Sequence, residues 1–115
     1  MLPDWMISAP NQFNSVLVAN RGEIAVRILK AARESGLKGI AIYSDSDKNS
    51  LHVETADESV HLPGKTLSDT YLNMESIISA AKESGAQAIH PGYGFLSERA
   101  NFAKLVKDSG LIWIG

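Results

Sequence analysis

The densest candidate for a binding surface is the run His90-Pro91-Gly92-Tyr93-Gly94-Phe95-Leu96-Ser97-Glu98. A proline and two glycines fix a tight path there, and glycine lets another molecule or domain approach the backbone closely. Tyr93 offers a flat face and a hydroxyl. Two readings of it stand side by side: contact with a ligand or partner domain, or a plug at the end of a sheet. Phe95 reads as such a plug. A second candidate is the turn Ala19-Asn20-Arg21-Gly22-Glu23-Ile24. A dinucleotide site would need G-x-G-x-x-G here, so that backbone amides reach the pyrophosphate. The turn has one glycine, and Arg21 and Glu23 stand where small residues are wanted. No G-x-x-x-x-G-K-[ST] occurs either. The sequence thus argues against a nucleotide held by this domain.

The remaining polar groups read as ordinary structure. Asp45 and Asp47 lie among Ser, Lys and Asn, a composition that favours a solvated loop over a ribose-binding acid. A phosphorelay receiver would need acids after the first and third strands, where Ala19-Asn20 and Val60-His61-Leu62 stand instead. His52, His61 and His90 are too scattered for a metal cluster. The first two read as surface or edge residues, and His90 as a satisfied structural histidine at the end of a strand. The absence of cysteine excludes disulfides, zinc-thiolate sites and thiol nucleophiles within these 115 residues. A net charge of -2 gives no electrostatic reason to expect nucleic acid or an anionic membrane as partner. No apolar run approaches the roughly 20 residues that span a bilayer.

Strand and helix signals alternate from Ser15 onward. Val16-Leu17-Val18-Ala19 is apolar on both faces, as a strand covered on two sides must be. Asn20 is expected to cap the helix that follows, with Glu23 reaching back in a capping box. That helix runs to about Ser35, with Ile24, Ile28, Leu29, Ala31 and Ala32 as its apolar stripe. Arg27, Lys30 and Glu34 lie off the stripe, and Lys30 and Glu34 are spaced to pair. Gly39–Tyr43 is the second strand, Leu51–Ala56 a short helical turn, and Asp57–Leu62 the third strand. A helix over Asn73–Ser84 is closed by Gly85. Ala88-Ile89-His90 is the fourth strand. Ser97 is expected to cap the last helix, with Glu98 in its first turn, and Leu111–Ile114 is the fifth strand. Such alternation predicts an α/β fold: a three-layer, Rossmann-like domain with a five-stranded parallel sheet in the order 3-2-1-4-5. Ligand contacts should then gather beyond the carboxyl ends of strands one and four. Residues 1–13 read as a flexible leader, with Trp5 and Met6 resting on a body that spans 14–115. An ending at Gly115, directly after a buried-looking strand, points to a fragment of a longer chain.

Two long stretches carry a family resemblance. Val16-Leu17-Val18-Ala19-Asn20-Arg21-Gly22-Glu23-Ile24-Ala25-Val26-Arg27-Ile28 resembles the opening of biotin carboxylases, and His90–Glu98 resembles their second hallmark. Ala56-Asp57-Glu58, Tyr71-Leu72-Asn73 and Ile112-Trp113-Ile114-Gly115 fall in the right order between and after them. The resemblance covers about Asn14 to Gly115 and implies the family's N-terminal, pre-ATP-grasp domain. It implies a complete enzyme that uses ATP and Mg2+ to activate bicarbonate as carboxyphosphate. That enzyme then carboxylates the ureido nitrogen of biotin on a biotin carboxyl carrier protein. It serves acetyl-CoA, propionyl-CoA, methylcrotonyl-CoA, pyruvate or urea carboxylases, according to the partner carboxyltransferase subunit. The ending and the loops look most like alpha subunits of bacterial acyl-CoA carboxylases, which implies a cytoplasmic enzyme. The ATP, metal and bicarbonate groups are expected in ATP-grasp and carboxyl-terminal domains after Gly115. The resemblance places Tyr93 and Gly94 at the border of the biotin pocket, and Arg27, Lys30 and Glu34 on a homodimer face. Arginine is common at the position of Lys30, and lysine lacks its bidentate fork. These residues by themselves are then expected to be inactive. The competing expectation is a free-standing Rossmann-like binding or assembly module without catalysis.

Overall fold

The computed structural model describes residues 13–114. The expected leader segment through residue 12, with Trp5 and Met6, lies outside the described residues. Phe13 is buried against Val16, Ala32, Ala88 and Ile114, as part of the packed body.

Five strands form one parallel sheet: β1 (Ser15–Val18), β2 (Lys38–Tyr43), β3 (Glu58–His61), β4 (Ala88–His90) and β5 (Ile112–Trp113). Their order is β3-β2-β1-β4-β5, and every neighbouring pair is parallel. This is the α/β, doubly wound arrangement expected from the alternation of apolar runs. Four helices connect the strands: α1 (Gly22–Glu34), α2 (Leu51–Thr55), α3 (Met74–Ser84) and α4 (Ala100–Asp108). Period-two alternation along the strands divides the core. Leu17, Ile40, Ile42 and Ile89 point to the face where Ile77, Ala81, Phe102 and Val106 of α3 and α4 pack. Val18 and Ala41 point to the opposite face, against Ala25, Ile28 and Leu29 of α1. Strands covered on both faces are expected to be largely apolar. All four residues of β1 are buried, and its one polar residue, Ser15, is hydrogen-bonded to Gly85 and Gln87.

Two helix starts differ from expectation. Asn20 does not cap α1: Arg21 holds the N-cap position and no side chain caps that end. Glu23 turns outward and pairs with Arg27 at 3.9 Å, while Lys30 and Glu34 make no ion pair with each other. Ser97 does not cap α4, because residues 95–98 form a turn and the helix begins at Ala100 with Arg99 before it. Glu98 therefore stands outside its first turn. By contrast Asn73 caps α3, its Oδ1 accepting the Ser76 amide at 3.0 Å, and Gly85 closes that helix at φ 75°.

Candidate functional site

The strand register decides which loops meet. Val18 of β1 pairs with Ala41 of β2 on one side and with His90 of β4 on the other. The loops that leave β1, β2 and β4 therefore emerge together at the carboxyl edge of the sheet, at the point where the strand order reverses. Asn20 stands two residues beyond Val18, and Gly92 two residues beyond His90. The Asn20 amide nitrogen donates to the carbonyls of Pro91 at 2.8 Å and Tyr93 at 2.7 Å. Its Oδ1 accepts the Arg21 amide at 2.8 Å. Both donors of the side chain are thus spent on the β4 loop, and its acceptor oxygen is taken by the adjacent Arg21 amide, so no acceptor is left for the first-turn amides of α1.

The approach is close enough to dictate Gly92. A Cβ there would sit 2.8 Å from Asn20 Nδ2, and the residue also holds φ 69°. Gly94 shares that left-handed backbone, but its missing Cβ faces open space. Tyr93 between them is 77% exposed. Phe95 follows at φ 46°, partly buried against the core and 5.6 Å from the ring of Tyr71. Phe95 is thus the plug, whereas Tyr93 points away from the body.

On the β2 side the polar residues depart from the expected solvated loop. Asp45–Asp47 forms a short 3-10 turn, and Asp47 is buried, its side chain 5% exposed. Arg21 grips it with a fork, Nε to Oδ2 at 2.6 Å and a terminal nitrogen to Oδ1 at 2.7 Å. The Tyr71 hydroxyl donates to the same carboxylate at 2.6 Å and accepts the Ser44 amide at 3.2 Å. Hydrogen bonding from Arg21, opposed by burial, holds the Asp47 carboxyl down at about 2. Burial, with Asp47 as acceptor, pushes the Tyr71 phenol up to about 12. The Arg21 guanidinium is held firmly charged by Asp47 and lies 5.9 Å from the Tyr71 ring centre. Asp45 is exposed and pairs with His61 on the edge strand β3.

The other two histidines are interior groups. His52, expected at the surface, is 1% exposed and its Nε2 donates to the Ile42 carbonyl at 3.0 Å. The reason is helical register: α2 packs against α1, and position 52 is its buried residue. His90 accepts the Gly92 amide on Nδ1 at 3.0 Å, a structural role as expected. Burial lowers its pKa to about 4, so it is neutral at physiological pH.

The turn after β1 does not fit a pyrophosphate. The Arg21 amide is taken by Asn20, its guanidinium by Asp47, and Glu23 brings a negative charge to the first turn of α1. The same crevice does fit the presentation of a loop. The resemblance-derived residues Tyr93 and Gly94 come together at its rim. Arg27, Lys30 and Glu34 lie exposed along α1, outside this cluster. Arg21, Asp47 and Tyr71 are the hydrogen-bonded cluster at this crevice that sequence reasoning missed. Opposite charges in the loops after adjacent strands were a faint signal for the first two; Tyr71 gave none.

Fold and site together define a doubly wound α/β domain in which Asn20, at the switch-point crevice, grips the β4 loop. The family described as biotin carboxylase, N-terminal domain, matches residues 12–115, and the chain belongs to that family. A mitochondrial methylcrotonoyl-CoA carboxylase subunit alpha from Glycine max is 56% identical over 105 residues, covering 91% of this chain and 14% of its own length. A biotin-dependent acyl-coenzyme A carboxylase alpha3 subunit of Mycobacterium leprae is 53% identical, over 93% of this chain and 18% of its own. Among solved structures, the urea carboxylase of Kluyveromyces lactis superposes with a TM-score of 0.88 at 54% identity, over 90% of this chain and 9% of that one. The biotin carboxylase domain of a thermophilic 2-oxoglutarate carboxylase, bound to ADP, gives 0.86 at 49% identity, over 90% and 23%. The chain thus spans less than a fifth of the length of these two curated relatives.

Proposed function

We propose that this chain forms one wall of a biotin carboxylase active site, in which carrier-bound biotin is carboxylated from bicarbonate at the expense of ATP. The observation that carries the reading is the β4 loop, tied down by Asn20 while Tyr93 and Gly94 stand open to solvent, within the stretch that matches the family. Gly94 offers bare backbone and Tyr93 a hydroxyl, which suits a small polar ring lying against them. ATP, Mg2+ and bicarbonate are held by ATP-grasp and carboxyl-terminal domains of the same polypeptide, since the turn after β1 does not fit a phosphate. Arg27, Lys30 and Glu34 line the homodimer contact, and their exposure on one helix supports that use. A carrier protein and a carboxyltransferase subunit complete the assembly, which delivers carboxyl groups to an acyl-CoA, propionyl-CoA and acetyl-CoA being the preferred acceptors in fatty acid metabolism. No helix among the described residues is long and apolar enough to cross a membrane. For a bacterial source the reading places the enzyme in the cytoplasm.

The test follows ADP release by the intact natural polypeptide that carries this sequence. With Mg2+, ATP and bicarbonate, free biotin should accelerate release, and the 115-residue chain by itself should give none. Lack of any response to biotin in the intact polypeptide overturns the reading.

A further inference from the structure

The β4 loop has few means of holding its shape. Its tip is exposed, Gly92 and Gly94 are both in the left-handed region, and Phe95 is there too without being glycine. Glycines in such a loop leave the backbone free to move unless other groups fix it. One side chain crosses from β1 to do so. Asn20 is 2% exposed and spends both amide protons on carbonyls that flank Gly92. We infer that Asn20 is a positioning residue for Tyr93 and Gly94, setting the height of that rim and hence how biotin seats on it. This rests on the biotin carboxylase reading. Asn20 itself touches no substrate and acts through the loop.

A carboxamide is required, because the two acceptors are carbonyl oxygens and only a group with two N–H protons satisfies both. Asn20→Asp keeps the size and the Oδ1 that accepts the Arg21 amide, yet it loses both donors and sets a carboxylate against two carbonyls. The experiment measures steady-state kinetics of the intact polypeptide with free biotin and with ATP as varied substrates, alongside melting temperature. Asn20→Ala and Asn20→Asp should each raise KM for biotin about tenfold, with KM for ATP changed by less than about twofold. A merely structural asparagine would lower the melting temperature and disturb both KM values together. That result, or a wild-type KM for biotin in Asn20→Asp, overturns the inference. Gly92→Ala keeps the test decisive if the Asn20 variants do not fold. Its Cβ, 2.8 Å from Nδ2, pushes the same two loops apart, so it should show the same biotin-selective rise, and an equal rise for ATP counts against the inference. If the wild-type polypeptide cleaves ATP without responding to biotin, the enzyme reading fails first; if it responds and the variants keep the wild-type KM, only the role of Asn20 fails.

Discussion

Asp47 shows how one buried carboxylate organises a crevice. It is almost inaccessible, while Arg21, its partner, is 46% exposed at the side chain. Removing one member of a fully buried pair costs about 3–5 kcal/mol, and half-exposure of Arg21 reduces that, so Asp47→Asn should destabilise the domain by about 2 kcal/mol. Tyr71→Phe keeps the ring against Phe95 but deletes the hydroxyl between Asp47 and the Ser44 amide. A lost buried hydrogen bond of this kind costs about 1–2 kcal/mol. The two variants share one carboxylate, so the double variant should cost less than the sum, which a double-mutant cycle in urea will read. Strict additivity would show that the hydroxyl and the ion pair are independent.

Among the elements, α3 and α4 begin in opposite ways. Asn73 sits in extended backbone with its side chain on the Ser76 amide. Asn73→Ala should therefore cost about 1 kcal/mol in urea unfolding. Arg99 has the same kind of extended backbone, φ -89° and ψ 108°, but caps nothing. Arg99→Ser supplies an oxygen at that end and should stabilise the domain by about 0.5–1 kcal/mol. No gain would mean that the turn over residues 95–98 already satisfies the first amides of α4. α1 lies close to β2 at one point: a Cβ at Gly39 would meet Leu29 Cδ2 at 2.9 Å.

For the whole domain, proton linkage sets the pH range of stability. The His90 pKa is depressed from 6.5 to about 4, so its contribution is complete above pH 6.5 and is lost as the pH falls toward 4. Asp47, depressed from 3.8 to about 2, loses its contribution in the next window down. Tyr71 is shifted the other way, from 10.0 to about 12, so its share persists below pH 10 and is lost as the pH rises through 12. The urea midpoint of this chain should be flattest between pH 6.5 and 10. His90→Gln should flatten the upper acid limb whatever it costs at neutral pH. An unchanged limb in that variant would assign the acid sensitivity to other groups.

Periodicity and composition determined the layers. Apolar runs such as Val16–Ala19, buried on both faces, separated by stripes spaced for helices, admit little besides a parallel sheet between helices, and the strand order followed from right-handed crossovers. The lack of a phosphate cradle after β1 was also legible, because it depends on which residues stand next to each other in one turn. Partner choice was not. Asn20 and Asn73 look alike in sequence, each at the start of a helical stretch. Asn73 caps its own helix, whereas Asn20 reaches the β4 loop, because β1 and β4 are neighbours and Val18 lies opposite His90. Asp47 likewise reads as solvated until β2 beside β1 brings Arg21 to it, and His52 reads as surface until α2 packs on α1. A hydrogen bond or ion pair between residues more than 20 positions apart depends on strand neighbours and register, and those exist only once the sheet has closed.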